Sequence, residues 1–162
     1  DLRLKECSEI LSQSNGRPFK VRQSLDCNSR NVVYVITCNR CHVQGVGECF
    51  NPAKRLLTYW EAARDQRIPS NSVTCAIHKH LTDTWHSVNA IDFTLVEQLP
   101  PGQGKHRYCT WPMQRASLEA RWIHKLEASL NVKRKLSHFL PGGLAARGTA
   151  VDDTLISAVL TQ

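Results

Sequence analysis

The sequence predicts an α+β fold, an α/β layer in which a small central antiparallel sheet is flanked by helices, and three observations carry that expectation. Residues 32–37, VVYVIT, are rich in β-branched side chains, as a sheet strand requires. Residues 91–99 alternate Ile91, Phe93 and Leu95 with polar neighbours, the period of a half-buried strand. Two stretches, 53–67 and 113–130, repeat apolar residues at helical spacing. The resulting order of hairpin, helix, helix, strand, helix suits one layered domain, which 162 residues can supply.

Residues 1–26 show little periodicity: LKECSEILSQ reads as a short helix and SNGRPF as a turn, together an extension packed on the domain. HVQGVGECF, interrupted by glycines, reads as a weaker strand partnering VVYVIT, so Cys38 to His42 fall in or beside the connecting loop. Asn51 and Pro52 suit a helix start as N-cap and first helical position. The helix that follows is expected to bury Leu56, Leu57, Trp60 and Ala63. SVTCAIHKHL reads as a short helix and PPGQGKHRYC as a loop. In the stretch 113–130, Trp122, Ile123, Leu126 and Leu130 are expected inward. Pro141 and its two glycines break the chain again, and DDTLISAVL suits a terminal helix.

A charge of +7 favours a polyanionic partner, because each Lys or Arg placed on a phosphate releases counterions. VKRKLSHF sets Lys133, Arg134 and Lys135 in a row beside an aromatic ring, a pattern that can track a phosphate backbone, and KHRYC is a weaker case. Trp60, Trp85 and Trp122 are expected in the core. No stretch is apolar for long enough to span a bilayer. Seven cysteines with a single CxxC pair point to thiols or metal in a reducing compartment, away from a disulfide scaffold. Beginning at Asp1, the chain is expected to be part of something longer or a processed product.

Cys38 and Cys41, in a hairpin loop, lack the helix-start setting of a redox pair, so the choice lies between buried thiols and half of a zinc site. His80 and His86 fit as the other half, and Cys75, His78 and His42 are competing ligands. The expected role is structural, tying the loop to the helix behind it.

Taken in order, these residues resemble a GIY-YIG nuclease domain, closest to the endonuclease of Penelope-like retroelements. VVY with Tyr34 is similar to the first motif. Gly45-Val46-Gly47 stands at the second, with Gly45 where the tyrosine belongs. Arg55 and Tyr59 follow on a helix, and Glu119 precedes a Trp-Ile pair within LEARWIHKL. The resemblance covers 27–146, leaving 1–26 as an N-terminal extension and 147–162 as a tail. It also supports the zinc assignment, since those endonucleases carry cysteines between the two strand motifs and histidines downstream.

The resemblance implies that Arg55 holds a scissile phosphate, with Lys54 beside it, and that Glu119 holds Mg²⁺ or Mn²⁺. Tyr34 and Tyr59 would orient or deprotonate water. Two departures weaken the chemistry: Gly45 lacks the hydroxyl, and Ala145 stands in the place of a terminal asparagine, for which Asn131 substitutes only if that region folds otherwise. Tyr108 is another source of a hydroxyl. The expected function is therefore nucleic-acid binding, DNA or RNA, by a catalytically impaired domain within a larger nucleoprotein complex. A working metal-dependent endonuclease is the alternative.

Overall fold

The computed structural model describes residues 3–65, 72–100 and 111–131. Its sheet has four strands in the order β1-β6-β4-β5: β1 is Arg3–Leu4, β4 Val32–Cys38, β5 Gln44–Cys49 and β6 Ile91–Gln98. β4 pairs antiparallel with both β5 and β6, and the two-residue β1 adds a parallel edge to β6. A second, two-stranded antiparallel sheet joins β2, Glu9–Leu11, to β3, Pro18–Lys20. The helices are α1, Pro52–Asp65, α2, Ser72–Thr84, and α3, Trp111–Leu126, and a single 3-10 turn, Val88–Ala90, precedes β6. The predicted order of hairpin, two helices, strand and helix is the order found.

β4 is central because all of its side chains except that of Thr37 are buried among apolar neighbours. Successive strand residues point to opposite faces. Val32, Tyr34, Ile36 and Cys38 accordingly join Tyr59 of α1, Ile77 of α2 and Phe93 of β6 in one cluster. Val33 and Val35 join Val46, Trp122, Leu126 and Ile10 in a second cluster. The sheet is thus a middle layer, with α1 and α2 over one face and α3 with the β2-β3 sheet over the other.

Four expectations are corrected. LKECSEILSQ forms no helix: it supplies β1 and β2, because Leu4 and Ile10 each fill a different side of the core and Asn15-Gly16 turns the chain back, with Gly16 at φ +68. That segment is integral to the fold. Ser12 is buried and donates to the Leu126 carbonyl at the end of α3 (3.1 Å), and Gln44 Nε2 of β5 donates to the Leu11 carbonyl (2.8 Å). On α1 the inward face carries Leu56, Tyr59 and Ala62, while Leu57 and Trp60 are exposed and Arg64 lies over the Trp60 ring at 4.9 Å. Tyr59 wins the inward place because its hydroxyl finds a buried partner. β6 is buried on both faces, since Thr94 and Val96 pack toward α3 as fully as Phe93 and Leu95 pack toward α1. α3 ends at Leu126, four residues early, where Glu127 takes φ +51 and turns the chain onto β5. The loop 101–110, the basic run 133–135, Ala145 and the terminal helix lie outside the described residues.

Candidate metal centre and tyrosine cluster

The β4-β5 connection is a tight turn that aims two thiols at one point. The Cys38 N–H donates to the Val43 carbonyl (3.0 Å), the His42 N–H donates back to the Cys38 carbonyl (2.8 Å), and His42 sits at φ +62. Cys38 is buried at the end of its strand and Cys41 lies in the turn. The histidines arrive from α2, His80 from just before its last turn and His86 from beyond its end. Trp85 adopts φ +55 and the His86 N–H donates to the Leu81 carbonyl (3.2 Å), a Schellman arrangement that ends the helix and swings His86 back.

The result brings Cys38, Cys41, His80 and His86 together, their four ligand atoms all within 4.8 Å of one another. Cys38 Sγ lies 3.3 Å from His86 Nδ1, and Cys41 Sγ lies 3.3 Å from His80 Nε2. Around a four-coordinate ion with metal–ligand distances of about 2.0–2.3 Å, neighbouring donors stand roughly 3.3–3.8 Å apart. The four residues could therefore hold one metal ion. Burial, helped by the nearby His86, lowers the His80 pKa, with Asp83 opposing, and this favours the neutral form that ligates. Of the competing ligands, His42 and His78 stand outside the group, and the Cys75 side chain is outside the described residues.

On the α1 side of the sheet, Tyr34 lies directly over Gly47, its register partner on β5. A Cβ added at Gly47 would overlap the Tyr34 hydroxyl and Cζ, and would come within 2.9 Å of Cε2. The glycine is what lets the ring lie flat there, stacked on Phe93 with centroids 4.5 Å apart. The Tyr34 and Tyr59 hydroxyls are 3.1 Å apart in a hydrogen bond. Arg55, one helical turn before Tyr59, is close enough for its charge to act on Tyr34 and for its side chain to hydrogen-bond Cys49. Burial nevertheless dominates: it pushes the Tyr34 hydroxyl well above its ordinary value, with Tyr59 adding to the effect and Arg55 opposing it. Burial also lifts the Cys49 thiol to about 11, against the pull of Arg55.

Tyr34, Arg55 and Tyr59 are thus brought to one place. Gly45 pairs with Ile36, so the face on which it presents no side chain is the face of Tyr34. Glu119 is buried on α3, whose Trp122 and Leu126 pack against Val33, Val35 and Val46 on the opposite face of the sheet. Lys54 is exposed, and its N–H is capped by Asn51 Oδ1 at 3.1 Å, as the predicted helix start requires.

Two features were not anticipated. Asn131 reaches the second motif itself: its Oδ1 accepts the Val46 N–H (2.7 Å) and its Nδ2 donates to the Val46 carbonyl (2.8 Å), so one side chain closes that stretch of the open β5 edge. The sequence named Asn131 only as a conditional substitute for the terminal asparagine and gave no sign of this backbone pairing. Arg115 of α3 pairs with Glu48 of β5 and donates to Asn31 Oδ1 (2.7 Å), tying the start of α3 to the end of the sheet. Comparison with known protein families, with curated proteins and with solved structures returns no match to this chain.

Proposed function

We propose that the chain is a GIY-YIG-derived nucleic-acid-binding domain, impaired as a nuclease and serving as a binding subunit of a nucleoprotein complex. The observation that carries this reading is the convergence of Tyr34, Gly47, Arg55 and Tyr59. Residues from two strands and a helix, far apart in sequence, meet in the order the resemblance implies. Asn131 on the backbone of Val46 adds to it, an asparagine after the Glu-bearing helix that reaches the second motif.

Impairment follows from the state of the hydroxyls. Tyr34 is buried, neutral through the working pH range and committed to Tyr59, and Gly45 offers nothing on the same face. Losing one positioned proton-transfer group costs roughly a hundredfold to ten-thousandfold in rate. What remains suits binding: the Arg55 guanidinium can deliver paired donors to a phosphate, and Lys54 lies beside it. Lys133, Arg134 and Lys135 extend the basic character along the chain.

The metal suited to Cys38, Cys41, His80 and His86 is zinc, whose structural sites favour two thiolates and two imidazoles. When bound it supplies a crosslink between the β4-β5 turn and the end of α2, and with it folding free energy.

The second reading, a working endonuclease, is favoured by the retention of Glu119, a carboxylate buried on α3 that suits Mg²⁺ or Mn²⁺. The two are separated by incubating the protein with branched DNA, duplex DNA and structured RNA in either cation, with Glu119→Ala in parallel. Binding without cleavage is the expected result. Cleavage lost in the variant would overturn the impaired reading, and absence of binding to all three would overturn both.

A further inference from the structure

Trp85 was expected in the core, yet it is 94% exposed, immediately before His86 and at φ +55. A left-handed backbone is unfavourable for a residue with a Cβ, and the position after a helix end is one that glycine ordinarily fills. A bulky indole held there, in water and under strain, lacks any packing reason. The charged residues next to the four ligands in sequence are cationic. Arg40, between the two cysteines, is exposed and makes no ion pair or hydrogen bond among the described residues, and Lys79, one residue before His80, is likewise exposed. Asp83, three residues from both His80 and His86, is the nearest acid in sequence to any of the four ligands.

From this geometry we infer that the metal knuckle is a single-strand recognition surface, on which Trp85 stacks an unpaired nucleobase while Arg40 and Lys79 contact the flanking phosphates. The inference rests on the nucleic-acid-binding reading and names the part of the surface that takes a strand with free bases. A ring standing free of its own protein offers a face to any base, whereas the bases of a duplex already stack on each other. The same residues that ligate the metal fix the platform: Cys41 adjoins Arg40, His80 adjoins Lys79 and His86 adjoins Trp85. Loop and helix end therefore present cation and ring from one rigid knot.

The test is fluorescence anisotropy with the full chain and equimolar zinc, titrated against a labelled short single strand, as DNA and as RNA, and against the matching blunt duplex. Trp85→Ala should weaken single-strand binding by about fivefold to a hundredfold, the range for loss of one stacked base. Trp85→Phe should retain most of it, and duplex affinity should hold for both. Arg40→Ala should reduce the slope of log affinity against log salt by about 0.7. Far-UV circular dichroism and thermal midpoints confirm that the exposed substitutions leave the fold intact. If Trp85→Ala binds the single strand as wild type does, or loses single strand and duplex alike, the platform is overturned while the nucleic-acid-binding reading stands. If wild type binds none of the probes, both fall.

Discussion

Gly47 and Tyr34 set the tolerance of the sheet at its most crowded point. Gly47→Ala places a methyl group where the Tyr34 ring already lies, and overpacking of this kind costs about 1–3 kcal/mol, readable as a lower urea midpoint at unchanged slope. The buried acids beside it give a pH signature of definite sign. Cys49 ionises at an ordinary 9.0 when unfolded and at about 11 when folded, so its contribution is complete below pH 9 and is lost as pH climbs toward 11. Tyr34, also raised, adds a further loss above pH 10. Urea midpoints measured in reductant should therefore fall between pH 9 and 11, and Cys49→Ser should delay the onset toward pH 10.

At the scale of elements, two helices end alike and each ending serves the site. Trp85 closes α2 and returns His86 to the metal group, and Glu127 closes α3, with the Ala128 N–H donating to the Ile123 carbonyl at 3.2 Å. That second turn carries Leu130 and Asn131 onto the outer edge of β5, where the Leu130 N–H donates to the Gln44 carbonyl at 3.0 Å. Glu127→Gly relieves the left-handed strain and should raise stability by about 1 kcal/mol, seen as a higher urea midpoint. Asn131→Ala should do the opposite, by about 1–3 kcal/mol, and should speed hydrogen exchange at the Val46 amide by tenfold or more. These endings also mark where sequence reading ran out. VVYVIT, the Asn51-Pro52 start and the Cys-Cys-His-His set were legible because each rests on local residue chemistry. The β2-β3 sheet, the exposure of Trp85 and the Asn131 clamp were not, because left-handed turns at Trp85 and Glu127 carry none of the glycine that announces such turns, and because short strands gain their identity from distant partners such as Leu126 and Gln44.

In the whole molecule, the Cys38-Cys41-His80-His86 group sits at the start of β5, Leu130 and Asn131 fasten its first half, Arg115 fastens its far end through Glu48, and the N-terminal segment fastens its flank. Equimolar zinc should raise the melting temperature of metal-free protein by about 10 °C or more, a few kcal/mol at roughly 2–4 °C per kcal/mol for a chain of this size, and Cys41→Ser or His80→Ala should abolish the gain. The strand order carries a consequence for synthesis. Val35 faces Val46 on one side almost at once, but on the other it faces Thr94, which emerges from the ribosome about 60 residues later. At roughly 5–20 residues per second the inner edge of VVYVIT stays open for about 3–12 s, a hydrophobic β-branched strand without its second neighbour. During that interval the nascent hairpin is the segment most in need of a chaperone, and slow codons placed between the two strands would lengthen its exposure.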